Sequence, residues 1–360
     1  MHEDDPLLPD IRQQLQQILQ AQQVLSRQLE QLKRSHETIL GGMLGHLGSL
    51  RSMQMQQSLG SYALQVGPLP PPADPPRPPV TLSVVAVARD DGPYLREWIE
   101  YHKLVGVQRL YFYDSGSVDC TREVLQPYIE DGSLIYHYRD GYHIQDFACA
   151  DALWRYRFET KWLALLDTDE FMVPVQHDTL LEFLADFEDE HVRLGKGDYC
   201  GLAMNWLCFD SNGHDIRPTA HGGLVTANYT RVRRDHDRHH SDYNDDRLVK
   251  NIVNPRAILG LRNHNVVARH MIPLVTENHE PVWGLMTEHY SGEKIQCNHY
   301  RTKSREEYVA KQQRNARWIA RSVVTSVLEK NINFDEPTEQ NLAIQRFVPA
   351  LKQAMGIADE

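Results

Sequence analysis

Hydrophobic residues return at different intervals along this chain, and the intervals divide it. From Ile11 they recur every seven residues: Ile11, Ile18, Leu25, Leu32 and Ile39 on one register, and Leu15, Leu29, Met43 and Leu50 on a second, offset by four. Two such registers form the d and a seam of a coiled coil. Gln22 and His36 fall at a-type positions, where a polar group costs stability but fixes register and strand number. Isoleucine at d disfavours a parallel dimer, so the pattern predicts a homo-oligomer through residues 11–50, trimer or tetramer ahead of dimer. Gly41-Gly42 interrupts the run, which a single amphipathic helix folded back on its own domain would also tolerate.

Residues 67–80 (GPLPPPADPPRPPV) contain eight prolines and no usable period. Such a run forms neither helix nor sheet and predicts a stiff polyproline II spacer. Beyond it the interval shortens. Residues 81–88 (TLSVVAVA), 107–113 (VQRLYFY), 134–138 (LIYHY) and 162–166 (WLALL) are apolar, mostly β-branched or aromatic runs that predict strands. Between them, Leu95, Trp98, Ile99, His102 and Val105 keep helical spacing, as do residues 121–129 and 145–158. Strands alternating with helices predict a parallel sheet with right-handed crossovers. Past Phe171 the alternation fades into a helix over 178–190, a strand over 201–210 and a mixed remainder. Ser304 and Glu307 form an S-x-x-E capping box that opens a helix through Tyr308, Ala316 and Ile319. The organisation expected is a coiled-coil segment (1–66), a proline-rich linker (67–80), an α/β domain (81–330) and a tail (331–360) with no readable pattern.

Composition narrows the partners. With a net charge of -11, the chain has no electrostatic footprint for nucleic acid or an anionic membrane. No apolar run approaches the ~20 residues needed to span a bilayer, and the acidic start Met1-His2-Glu3-Asp4-Asp5 is unlike a signal peptide, so a cytoplasmic location is expected. The five cysteines (Cys120, Cys149, Cys200, Cys208, Cys297) make no CxxC pair and are odd in number, which argues against a zinc cage and a disulfide framework alike.

The chemistry collects where residues 162–171 (WLALLDTDEF) turn from apolar to acidic. Asp167 and Asp169 stand there with Thr168 between them. Carboxylates so close repel unless a proton or cation lies between them, and hard divalent ions prefer oxygen ligands. In open α/β sheets ligands bind beyond the carboxyl ends of the strands, which gathers Arg89, Asp90, Asp114 and Ser115 at the same edge as Asp167. Neither GxxxxGK[ST] nor GxGxxG is present. A nucleotide diphosphate would then need a cation held by the aspartates, with Asp114 and Ser115 suited to base or ribose and Lys250, Arg301 and Lys303 to phosphate. Trp206, Asn212 and His214 have the residue types that bind sugars, an aromatic face with amide and imidazole beside it, although a core tryptophan reads the same way. His236, His239 and His240 lie in a charged tract (231–247) that predicts a surface loop, and His264 follows in a polar turn. His299 would complete a cation's shell or serve as a hydrogen-bonded structural histidine.

Five stretches together, ARDDGPYLREWIEYH (88–102), YFYDSGSVD (111–119), WLALLDTDEF (162–171), NWLCFDSNGH (205–214) and NHYRTKSREEY (298–308), resemble glycosyltransferase family 92, once called domain of unknown function 23, and its bacterial family-2-like relatives. The resemblance covers about residues 82–315. It implies a GT-A fold, with a Rossmann-like nucleotide half and a mixed-sheet acceptor half. It also implies a UDP-sugar donor (UDP-galactose in described members), Mn²⁺ or Mg²⁺, and inversion at the anomeric carbon. His299 then becomes the third metal ligand beside Asp167 and Asp169, as a late histidine does in GT-A enzymes. Asp210 is the expected base, with Asp215 and Glu170 as rivals. The chain departs from the family pattern at Arg89-Asp90-Asp91, commonly Arg-Asn-Glu, and at Asp210, where glycine is expected. Two other classes use similar residues: a metal-dependent nucleotidyltransferase or phosphoesterase, and a non-catalytic coiled-coil scaffold carrying a degenerate transferase domain.

Overall fold

The computed structural model describes residues 78–141, 144–238, 245–262, 265–316 and 333–358. The heptad segment, most of the proline spacer, His239, His240, His264 and the helix expected beyond residue 316 lie outside the described residues. The apolar runs become strands β1 (Val80–Ala88), β2 (Arg109–Asp114), β3 (Leu134–Tyr138) and β4 (Thr160–Asp167), in the spatial order β3-β2-β1-β4 and all parallel. The connecting helices are α1 (Gly92–Leu104), α2 (Thr121–Glu130) and α3 (Gln145–Arg155).

Alternation within β1 explains why both faces of the sheet are covered. Leu82, Val84 and Ala86 point into one buried cluster with Leu95, Trp98 and Ile99 of α1 and Leu125 of α2. Val85 points into the opposite cluster with Ala148, Cys149, Ala152 and Leu153 of α3. α1 closes at Gly106, whose φ of +101° is a backbone conformation that suits glycine. α3 stops at Arg155, short of the expected residue 158, because Tyr156 stacks on Tyr111 at 3.7 Å and the chain turns straight into β4.

The second half makes the sheet mixed. β5 (Glu170–Pro174), α4 (Leu180–Arg193) and β6 (Gly201–Cys208) follow β4. α4 opens on a Thr179–Glu182 capping box that matches the helix expected over 178–190. Beyond β6, the one-turn helix α5 (Val225–Asn228) and β7 (Arg231–Arg233) precede β8 (Val249–Val253), which is antiparallel to both β4 and β6 and sits between them. β9 (Ile258–Arg262) and β10 (Asn265–Ala268) pair antiparallel as a separate two-stranded sheet, while the two-residue strands β11 (Leu274–Val275) and β12 (Pro281–Val282) extend the main sheet beyond β6. β13 (Ile295–His299) pairs antiparallel with β5 and parallel with β6, and α6 (Arg305–Ala316) follows through the expected capping box.

The supposedly unreadable tail is part of the fold. β14 (Thr338–Gln340) pairs with β7, and α7 (Val348–Met355) buries Val348 and Leu351 in the cluster shared with α1. Three residues of strand and two turns of helix are too short to show a period, so only tertiary contact reveals them. All five cysteines are free, and four are buried. Among the described residues no helix is long and apolar enough to cross a membrane.

Two outcomes test this architecture. Leu351→Ala should cost about 2–5 kcal/mol in urea unfolding, whereas a detached tail would leave the midpoint unchanged. His102, wholly buried, shares Nδ1 with the Trp98 carbonyl at 2.8 Å, and burial pushes its pKa down to about 4. The unfolded imidazole takes up a proton near its ordinary value and the folded one does not. Its contribution to stability is therefore complete above about pH 6.5 and is lost as pH falls toward about 4, at most roughly 3 kcal/mol. Unfolding curves for His102→Gln should be shallower in pH over that window; equal slopes would contradict the assignment.

Candidate active site

β4 ends by delivering three carboxylates in four residues, and each finds a different solution. Asp167 accepts from Lys250 Nζ at 2.8 Å and from Gln145 Nε2 at 2.6 Å. Lys250 reaches it because β8 runs antiparallel to β4, with Leu165 opposite Asn251. Glu170 is fully buried: Trp206 Nε1 donates to Oε1 at 2.8 Å, the Asp167 amide donates to Oε2 at 2.9 Å, and Lys250 Nζ lies 3.2 Å away. Burial raises the Glu170 pKa; Lys250 opposes this, while the charges of Asp167 and Asp169 add to it. Lys250 is buried too, which works against its charge, yet Asp167 and Glu170 hold it protonated.

Asp169 faces the other way. Burial alone would raise its carboxyl, but Lys311 first, then His299 and Lys303, hold it well below the usual carboxylate range. Lys311 Nζ lies 2.5 Å from Oδ2, and His299 Nε2 lies 3.7 Å from Oδ1. Strand register brings His299 here: β13 pairs His299 with Glu170, and the Tyr300 amide donates to the Asp169 carbonyl at 2.8 Å. The His299 ring rests against Trp206 at 4.4 Å, its Nδ1 is buried with no hydrogen-bond partner, and burial pushes its pKa down to about 3. A neutral imidazole whose Nε2 faces a carboxylate suits a divalent cation. Among the described residues no three His, Cys, Asp or Glu side chains converge as a cage. Asp169 and His299 fit as a ligand pair, whereas Asp167 is turned toward Lys250.

Beside Asp169 a narrow cleft is lined by Asp91, Tyr94, Arg301, Lys303, Lys311 and Arg314, among others. Glu307, Lys311 and Arg314 lie at i, i+4 and i+7 of α6, so one helix face lines it. Tyr94 donates to Glu307 at 2.9 Å and lies under Lys303 Nζ, 4.5 Å from its ring centre. Arg314 pairs with Asp91 at 3.4 Å, and Thr168 donates to Asp91 at 2.7 Å. Arg301 and Lys303 are among the residues the sequence pattern points to, whereas Lys311 and Arg314 are not; the capping box at Ser304 carries the signal for them, since it sets the helix phase that turns both inward.

Several expected ligand-binding residues are instead spent on the loops. Asp114 accepts the amides of Gly116 and Ser117 and the Tyr136 hydroxyl. Asp90, with φ +56°, accepts the amides of Val118 and Asp119; Arg89 reaches the Ser115 carbonyl at 3.3 Å; Ser115 Oγ donates to Ala88. These four do gather at the ends of β1 and β2, but they lock one loop to the other. Lys250, expected opposite a phosphate, holds Asp167 and Glu170. Trp206, expected as a sugar platform, is buried as the wall behind His299 because its indole N–H serves Glu170. Asn212 ties down residues 228–231 with both ends of its amide, and His214 lies edge-on to Tyr229. Asp210 is fully buried, accepts the Asn212 amide and pairs with Arg231 at 2.6 Å, while Asp215 is largely exposed and pairs with Arg305. Asp90, Asn212 and Lys303 all hold positive φ without being glycine, and such conformations cluster at functional loops.

A model of glycosyltransferase family 92 matches residues 82–343, which takes in this sheet edge, the cleft and the start of the tail. The chain belongs to that family. Among similar proteins, the galactan β-1,4-galactosyltransferase GALS3 of Arabidopsis thaliana is 39% identical over 106 residues, 26% of this chain and 21% of that protein. A glycosyltransferase family 92 protein of Oryza sativa subsp. japonica is 27% identical over 179 residues, 48% and 28% of the respective chains. The chain thus spans less than a third of the length of the curated relatives it matches. Among solved structures, the mannosyltransferase PcManGT of Pyrobaculum calidifontis, in complex with GDP-Man and Mn²⁺, aligns at 11% identity over 86% of this chain and 83% of that one, with a TM-score of 0.36. S. aureus TarS 1-349 aligns at 13% over 69% of each chain, with a TM-score of 0.33.

For this family-92 site, removing the shared cation tests the electrostatic account. Lys250→Met should destabilise the protein by about 3 kcal/mol near neutral pH, because buried Glu170 and part-exposed Asp167 lose the cation they share. The deficit should shrink as pH falls, since Glu170, its pKa already raised by burial, takes up a proton. A deficit independent of pH in urea unfolding would refute this.

Proposed function

We propose that this chain is a metal-dependent, inverting glycosyltransferase of GT-A type that moves galactose from UDP-galactose to a glycan hydroxyl. The observation that carries this is the Asp169–His299 pair, 3.7 Å apart, opening onto a cleft lined by Arg301, Lys303, Lys311 and Arg314. Family membership supports the sugar transfer, and relatives named galactan β-1,4-galactosyltransferases support galactose and a β-1,4-galactan acceptor. The strand order β3-β2-β1-β4, followed by an antiparallel neighbour and a mixed second half, supports the GT-A type.

Asp169 and His299 would hold Mn²⁺, with Asp167 joining directly or through water. The ion supplies charge stabilisation for the departing diphosphate. The four cations of the cleft bind the same phosphates from the other side, and Lys303 and Lys311 are half of that set. Arg89, Asp90, Asp114 and Ser115 shape the floor for the nucleoside rather than grip it with their side chains. Thr168 keeps Asp91 in place through its hydroxyl. The heptad segment would carry several such domains on one stalk.

Thermal-shift titration with UDP-galactose, with and without Mn²⁺, should show metal-dependent stabilisation by mass action. Radiolabelled galactose should pass to a β-1,4-linked galacto-oligosaccharide. Asp169→Asn should abolish the metal-dependent shift and lower kcat/KM by roughly 100-fold or more, while circular dichroism stays native. No Mn²⁺-dependent shift with any UDP or GDP sugar would overturn the reading, and turnover of a nucleoside triphosphate without a sugar acceptor would favour a nucleotidyltransferase.

A further inference from the structure

We propose that His236, held by Asp246, is the base that takes the proton from the acceptor hydroxyl. The proposal rests on the transferase reading above and supplies the group which that reading leaves unassigned.

Asp246 is wholly buried and cannot swing: its Oδ1 accepts the amide of Cys208, the last residue of β6, at 2.9 Å. Its Oδ2 lies 3.0 Å from His236 Nδ1. A carboxylate at that nitrogen fixes the tautomer, with the proton on Nδ1 and the lone pair on Nε2. The Tyr290 ring packs on the imidazole at 4.4 Å, and the Tyr290 amide donates to Asp237 at 2.6 Å, so the ring and its loop are both pinned. Unlike Asp246, the His236 side chain keeps one-fifth of its surface exposed. A histidine oriented by a sealed carboxylate, with no partner for its second nitrogen among the described residues, is the arrangement of a general base.

Its place in the sheet suits that work. β8 is antiparallel, so its amino end, with Asp246 just before it, shares an edge with the carboxyl ends of β4 and β6. Asp167 marks the end of β4, and Cys208, bonded to Asp246, marks the end of β6. The two ends are two strand spacings apart, about 10 Å, a separation on the scale of one hexose. Of the rival carboxylates, Asp210 is sealed against Arg231 and the Asn212 amide, Glu170 is sealed against Trp206 and Lys250, and Asp215 lies out in solvent beside Arg305.

In the step, His236 Nε2 accepts the acceptor O–H proton as that oxygen bonds to the anomeric carbon. The bond from that carbon to the β-phosphate oxygen breaks, and its electron pair leaves on UDP. Asp246 stabilises the imidazolium, which then returns its proton to solvent.

The test uses the full chain with Mn²⁺, UDP-[¹⁴C]galactose and a β-1,4-linked galacto-oligosaccharide. His236→Ala should lower kcat by about 100-fold or more with UDP affinity, measured calorimetrically with Mn²⁺, unchanged within about twofold. Added imidazole should restore part of the lost rate in His236→Ala and none in Asp169→Asn. Asp246→Asn should lower kcat by about 10–100-fold. Transfer at full rate by His236→Ala, a parallel loss of UDP binding, or absence of imidazole rescue would overturn the dyad while leaving the transferase reading intact. If the wild-type chain binds no UDP-sugar and transfers nothing, both readings fall together.

Discussion

Placing three carboxylates within four residues, two of them buried, is the constraint that the rest of this domain answers. Left to themselves, Asp167, Asp169 and Glu170 would repel, and the two buried ones, Asp169 and Glu170, would be driven toward their neutral forms. Two lysines resolve the conflict, and both come from far along the chain. Lys250 arrives on an antiparallel strand inserted between β4 and β6, and Lys311 arrives on a helix packed over the cleft. The second half of the fold therefore supplies counter-charge that the first half needs in order to close. The two lysines keep the acids in two groups: Asp167 and Glu170 share one ammonium, while Asp169 is held anionic and adjacent to an uncharged imidazole.

Pairing geometry, rather than proximity in sequence, decides which groups meet. His299 lies some 130 residues from Asp169, yet β13 runs beside β5 in a register that sets His299 opposite Glu170. A slip of one residue would turn the imidazole to the other face of the strand. The Tyr300 amide on the Asp169 carbonyl pins that register at its end. Trp206, from the strand on the other side of β13, then walls the imidazole in and bonds Glu170, so one residue supports both the acid cluster and the histidine.

Much of this was legible in the residues. Apolar runs gave away β1 to β4, the abrupt switch from Leu166 to Asp167 marked the sheet edge, and Ser304 with Glu307 marked the start of α6. The losses have physical causes. Asp90, Asp114, Asn212 and Asp210 are residue types that bind ligands and also residue types that tie loops, and composition cannot say which oxygen is already taken. Three of the site loops bend through positive φ at Asp90, Asn212 and Lys303, conformations that carry no period. Lys311 and Arg314 were hidden for the opposite reason: helical reading follows apolar positions, and the informative face of α6 is charged. The short β14 and α7 hold together through contacts with β7 and α1 that no local pattern encodes.

Antiparallel insertion of β8 also separates two kinds of chemistry along one edge. On the β1 and β4 side the ends carry Asp91, Asp169 and the basic face of α6, which suits phosphate and cation. On the β6 side the ends carry Asp246 and His236, which suits proton transfer to the imidazole. Were β8 parallel, its amino end would lie at the far edge and Asp246 with it, leaving Cys208 without that carboxylate and His236 without a reason to point inward. The same strand that brings Lys250 to neutralise Asp167 therefore brings Asp246 to orient His236. Charge compensation at one end of the site and proton transfer at the other then depend on a single strand direction, and a change that unpairs β8 from β4 should disturb both at once.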